Sequence, residues 1–271
     1  MIFFSSAIFT LILIIILIKL CHQYNILLNY SGDNHQKYTS SYRTPLIGGS
    51  IFFLFFFIFI DINYVIKFFL FFIYILGIFS DLKLLESPIK RLLLQFLIII
   101  SFLYMLDLHI VSTRFVILDY LLKNFFISLF FTTFCLLIVV NGTNFIDGNN
   151  ANVLGYYLTI SFILLLLNIN GYKSISINNI FLLIEVIFIL LVFNLINKIY
   201  LGDSGAFVLG SFFGLILIKF YLLNMLTVSS FFIVLTLWYP AFENLFSILR
   251  KFYFSKSPIN ADNNHLHQLL Y

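Results

Sequence analysis

CLLIVVNGTNFIDGNN, residues Cys135 to Asn150, sets an unbroken apolar run directly against a stretch with four Asn, one Thr and a single carboxylate, Asp147. Amides and an acid at the end of a membrane-length helix need partners that lipid cannot supply. Two readings fit the stretch alone: a polar ligand binds there, or the chain ends a helix with capping and turn residues.

The surrounding sequence fixes the class. A chain of 271 residues that is 62% hydrophobic, with 37 Phe and only 10% charged residues, carries more apolar surface than a soluble domain can bury. It reads as an all-α, polytopic membrane protein forming one transmembrane domain over residues 1–271. The first apolar run, Ile2 to Ile18, lacks a basic leader and a small-residue cleavage site, and so reads as a retained anchor. Cys21 and Cys135 have no CxxC spacing, which suggests neither a disulfide framework nor a metal site.

A hydrocarbon core takes roughly 20 helical residues. Windows of near that length fall at 2–20, 46–61, 63–80, 92–107, 124–140, 152–168, 179–197, 204–222 and 225–247, which predicts about nine transmembrane helices. Segment 108–123 is short and charged at both ends, and fits a hairpin or surface helix better than a crossing. With the odd-numbered helices running toward one side, that side collects Lys19, Lys37, Arg43, Lys83, Lys90, Arg91, Lys198, Arg250, Lys251 and Lys256. The opposite side has Lys67, Arg114, Lys123, Lys173 and Lys219. The basic excess makes the first side cytoplasmic, with the N-terminus external and the C-terminal tail internal.

Five polar clusters share this cytoplasmic side. HQKYTSSYRTPLIGG (35–49) holds Lys37 and Arg43 before a Thr-Pro and a Gly pair; its cations suit phosphate and equally suit ordinary membrane anchoring. FSDLKLLESPIKRLLLQ (79–95) puts Asp81 just beyond an apolar helix, with Lys90 and Arg91 on the first turn of the next. Basic residues at a helix start oppose the macrodipole, so either an anion sits nearby or Asp81 pairs with Lys83 or Lys90 at the surface. The opening stretch is the third cluster. In NKIYLGDSGAFVLG (197–210), Asp203 stands between Gly202 and Ser204, a setting that suits a helix cap and also a hard cation such as Mg²⁺. The fifth, SKSPINADNNHLHQLL (255–270), carries His265 and His267, readable as phosphate donors or as a solvated tail. Three acids with Lys, Arg, His and Asn at one membrane face form the inventory of metal-assisted phosphoryl transfer, where positioning and charge neutralisation supply most of the catalysis.

In order along the chain, Lys37 with Thr44-Pro45 and Gly48-Gly49, Ser80-Asp81 with Lys90 and Gln95, NGTNFIDG, Asn194 with Lys198 and Gly202-Asp203-Ser204-Gly205, and finally His265-Leu266-His267 resemble the polyprenyl-phosphate N-acetylhexosamine-1-phosphate transferases, of glycosyltransferase family 4 type. The tail form is closer to the glycan-initiating undecaprenyl-phosphate N-acetylglucosamine-1-phosphate transferase branch than to the muramoyl-pentapeptide branch. The resemblance implies transfer of an N-acetylhexosamine-1-phosphate from a UDP-sugar to a membrane polyprenyl phosphate, undecaprenyl phosphate in bacteria, with release of UMP and with Mg²⁺ as cofactor. It implies a multi-pass protein of the bacterial plasma membrane whose site faces the cytoplasm, in a family that admits homodimers, with no nucleic-acid partner.

Carried over by position, Asp81, Asp147 and Asp203 are the implied catalytic acids, Asp203 being the Mg²⁺ ligand. Lys37, Lys90, Asn141, Asn144, Asn194, Lys198, His265 and His267 are the implied substrate contacts. The chain departs from the family at Ser80, where an acid is usual, and at Glu243, where Asp is common. Two rivals follow: a catalytically altered member, suggested by Ser80, and a lipid or solute transporter, which would carry charge near the bilayer midplane, where only Glu185 lies.

Overall fold

A computed structural model describes residues 2–28, 43–148, 151–172 and 174–253, the side chain of Phe252 excepted. Eleven helices fill the described residues: α1 (Ile2–Tyr24), α2 (Gly48–Phe59), α3 (Tyr64–Asp81), α4 (Pro88–Met105), α5 (Val116–Leu122), α6 (Phe125–Ile146), α7 (Asn152–Ile169), α8 (Ile177–Leu195), α9 (Gly202–Leu223), α10 (Ser230–Thr236) and α11 (Trp238–Tyr253). Several begin where a short polar side chain can cap them. Asn63 accepts from the Val65 N–H ahead of α3, Asn124 from Phe126 and Ile127 ahead of α6, and Ser176 from Asn179 ahead of α8. Pro88 opens α4 at the first turn, where its missing N–H costs nothing.

The protein is an all-helical, polytopic membrane protein. All nine apolar windows fall on helix, yet seven helices are long and apolar enough to cross a bilayer, or eight if the bent α10–α11 pair counts as one. The shortfall has two physical causes. α2 has 12 residues, about 18 Å at the helical rise, which is short of a hydrocarbon core of about 30 Å. The last window is broken by 75° between Thr236 and Trp238. Segment 108–123 carries only the seven-residue α5, as its charged ends predict.

α9 is the axis of the bundle. It is apolar on every face, and most of its length is buried, whereas α1 and α4 show most of theirs to the surroundings. α3, α6 and α2 pack round it. Close approach is bought with small residues, as expected where lipid removes the hydrophobic drive between helices: a Cβ on Gly77 of α3 would lie 2.3 Å from the Ser204 Cα, and one on Gly49 of α2 would lie 2.2 Å from the Gly205 N. Several buried hydroxyls on the spans return their protons to the preceding turn, as in Thr10 to Ser6 O, Thr133 to Leu129 O and Ser161 to Tyr157 O, which pairs these donors inside the apolar layer; that of Ser211 on α9 has no partner among the described residues. Large exposed residues such as Phe4, Ile12, Phe68 and Leu166 line the outside, where lipid replaces water as the solvent. Glu185, midway along α8, accepts from Ser6 of α1 at 2.9 and 3.1 Å.

Candidate active site

The entry to α9 is the centre of the site. Its first residues follow Leu201, which offers no side-chain cap, so the exposed amides at this helix start look elsewhere for acceptors. Asp81, the last residue of α3, supplies them: Oδ1 accepts from the Asp203 N–H at 2.7 Å and Oδ2 from the Ser204 N–H at 3.1 Å. The fit depends on Gly202. Its φ of +76° is cheap only for glycine, and a Cβ there would stand 2.9 Å from Asp81 Oδ2. Both oxygens of Asp81 therefore serve the backbone, and its structural effect is to fix where Asp203 points.

Asp203 projects from that first turn with its side chain 30% exposed. Its two oxygens are approached from different helices. Asn144, near the end of α6, donates from Nδ2 to Oδ1 at 2.7 Å. Arg91, on the first turn of α4, donates from Nη1 to Oδ2 at 2.9 Å, and the same nitrogen donates to Ser80 Oγ at 2.7 Å. Ser80 in turn donates its hydroxyl to Asp203 Oδ2. Four helix ends, of α3, α4, α6 and α9, thus meet on one carboxylate.

Asp147 caps the end of α6 close to this group, and its carboxylate accepts no hydrogen bond from the described residues. Enclosure by protein pushes its carboxyl well above the usual carboxylate range, and the charges of Asp203 and Asp81 push it further.

The other sequence-derived candidates divide. Asn141 donates to Gln95 Oε1 at 2.8 Å and to Leu137 O at 3.0 Å; Gln95 is fully buried and its Nε2 has no partner, so this pair braces α4 against α6 with one donor left over. Asn194 spends both ends of its amide on backbone, accepting from Ala151 N at 2.5 Å and donating to Ile199 O at 3.0 Å. It locks the start of α7 to the α8–α9 connection. Lys90 is exposed, and its neighbour Arg91 takes the place at Asp203. Lys198 lines a separate cleft with Ile18, His22 and Arg43. Lys37, His265 and His267 lie outside the described residues. Sequence reading did not single out Arg91; its signal was its position one residue further round the turn that Pro88 begins.

Residues 63–221 match glycosyl transferase family 4. The chain belongs to this family. The matched stretch covers more than half of the protein and contains Ser80, Asp81, Arg91, Asn144, Asp147 and Asp203. Among curated proteins none matches. The family is one of phosphosugar transferases that act on polyprenyl phosphates, and this family member has the membrane-spanning helices such an acceptor demands.

Among the described residues no three His, Cys, Asp or Glu side chains converge tightly enough to hold a metal by themselves. Mg²⁺ typically takes one or two carboxylates and completes its shell with water and substrate phosphate. Asp203, partly exposed, and Asp147, without a hydrogen-bond donor, are the oxygen ligands that fit.

Proposed function

We propose that this family member transfers an N-acetylhexosamine-1-phosphate from a UDP-sugar to a membrane polyprenyl phosphate, giving polyprenyl-pyrophosphate-sugar and UMP at the cytoplasmic face of a bacterial plasma membrane, and so begins a lipid-linked cell-surface glycan. The observation that carries the reading is the meeting of Asp203, Arg91, Asn144 and Asp147 at the ends of spans, where a lipid phosphate at headgroup depth and a nucleotide from the aqueous side can both reach.

An oxygen of the lipid phosphate attacks the β-phosphorus of the UDP-sugar. The new P–O bond forms as the bond to the bridging oxygen breaks, and UMP leaves with that electron pair. A phosphate monoester is already largely ionised near neutrality, so the attacking oxygen needs no dedicated base. This agrees with Ser80, whose hydroxyl is committed as a donor to Asp203. Mg²⁺, held by Asp203 with Asp147, would supply charge neutralisation on the transferring phosphate. Arg91 adds a fixed positive charge beside it, Asn144 orients Asp203, and Asp81 holds the backbone on which Asp203 stands.

Ser80 also favours a second reading, a member of altered specificity. The purified protein with UDP-N-acetylglucosamine, undecaprenyl phosphate and Mg²⁺ releases UMP on the first reading, and Asp203→Asn abolishes nearly all release while the protein stays folded. A survey of UDP-N-acetylsugars with no release from any of them supports the altered member; full activity in Asp203→Asn overturns the role given to that acid.

A further inference from the structure

At the same end of the bundle, a cavity of about 400 Å³ opens between the end of α1, the segment before α2 and the connection from α8 to α9. Its lining brings together His22, Arg43 and Lys198, with Ile18, Pro45 and Ile196 as apolar walls, and among the described residues includes neither an Asp nor a Glu. Asp81, Asp147 and Asp203 take no part in it.

Three stretches far apart in sequence deliver these cations, and backbone bonds hold two of the stretches in place. Tyr200 N donates to Pro45 O at 2.8 Å, Gly48 N to Tyr200 O at 2.9 Å, and Thr44 Oγ1 to Asn197 O at 3.2 Å. The connection on which Lys198 sits is therefore stitched to the segment that carries Arg43. Two permanent positive charges and an imidazole round one cleft set up a positive local field that draws an anion. Among the described residues no ion pair joins His22, Arg43 or Lys198 to a carboxylate. A guanidinium fork beside an ammonium matches phosphate oxygens. The exposed side chain of Ile196 and the flank of α1 set this charge against a lipid-level surface.

We propose that this cleft is a phosphate-binding site separate from the candidate active site, taking the phosphate of an anionic phospholipid headgroup or free phosphate. The proposal does not depend on the reaction assigned above. Thermal unfolding of the full chain in nanodiscs tests it. Discs of phosphatidylglycerol, compared with discs of phosphatidylcholine, raise the Tm of the wild type if the source is lipid; inorganic phosphate added to phosphatidylcholine discs raises it if the source is free phosphate. In either arm the rise is lost in the Arg43→Gln/Lys198→Gln protein and kept in Lys19→Gln, which removes a like charge from an exposed position on α1 outside the cleft. No rise with either source, an equal rise in the double variant, or equal loss in Lys19→Gln overturns the site. All three substituted side chains are exposed, so the variants retain the core.

Discussion

Replacing Asp81 with Asn separates a carboxylate that touches substrate from one that builds the site. In the wild type both oxygens accept from backbone, at 2.7 and 3.1 Å. An Asn can accept with one atom; its amide nitrogen then faces the other N–H, donor against donor, at the start of the central helix. Losing a hydrogen bond to a charged group costs about 1.5–3 kcal/mol, and removing a negative charge from a helix N-terminus adds about 0.3–1 kcal/mol. Taking about 2 kcal/mol as the net, and about 2–4 °C per kcal/mol for a chain of this size, the Tm falls by about 4–8 °C. UMP release falls with it, because Asp203 and its contacts to Arg91 and Asn144 shift together. The concentration of Mg²⁺ needed for half-maximal release rises, while the KM for the UDP-sugar stays near the wild-type value. Thermal unfolding in detergent and a steady-state UMP assay give these numbers. An Asp81→Asn protein that unfolds at the wild-type temperature yet releases no UMP refutes the reasoning, since Asp81 would then act on the reacting groups rather than on the backbone.

Arg91→Gln removes the cation that sits on Asp203. A pair exposed to this degree is worth about 0.2–1 kcal/mol, so titration with Mn²⁺ followed by electron paramagnetic resonance shows metal binding tightened by up to roughly fivefold, while UMP release drops for want of the guanidinium; weaker metal binding in the variant contradicts the competition between arginine and metal. At the other end of the molecule, Asp119 accepts from the backbone N–H of Thr113 at 2.5 Å, from the hydroxyls of Ser112 and Thr113, and from the Arg114 N–H. These bonds, the Thr113 N–H foremost, hold its carboxyl below the usual value of 3.8. A depressed folded-state pKa contributes stability that is fully present above the unfolded value and is lost as pH falls through the folded one. The Tm difference between wild type and Asp119→Asn is therefore constant near neutrality and closes on acidification below about pH 4; a difference that persists unchanged at pH 2 excludes the carboxylate as its source.

Membrane insertion was legible because it depends on composition in bulk. Lipid forces long apolar helices and pushes polar clusters to their ends, so runs such as Phe125 to Val140 and the Asn-rich stretch after them announce a span and its terminus without any knowledge of neighbours. The ordering of Ser80-Asp81, NGTNFIDG and GDSG carried the family. What stayed hidden depends on rotation and on partners. Lys90 and Arg91 are equivalent in charge and adjacent, yet one residue is about 100° of helix, and the contacts of α4 with α3 and α6 decide that Arg91 faces Asp203. Asn194 and Asn144 are the same residue type near the ends of spans. One spends its amide on backbone and the other on a carboxylate, and nothing local distinguishes them.

The role of Asp81 is the instructive case, because a signal for it did exist. Buried helix starts rarely leave their first amides unpaired, and α9 opens with Tyr-Leu-Gly, without Ser, Thr, Asn or Asp at the cap position before Gly202. A helix this apolar, entered without a cap, requires an acceptor from elsewhere in the chain, and Gly202 removes the side chain that would block it. Read that way, GDSG asks for a distant acid as much as it offers one. The chain holds few acids near the ends of spans, and Asp81, at the last turn of α3, is the one that α3's close packing at Gly77 brings against Ser204. The same packing that makes α9 the axis of the bundle thus fixes the direction of Asp203, so a substitution such as Gly77→Ala belongs to the site's chemistry as much as to the core.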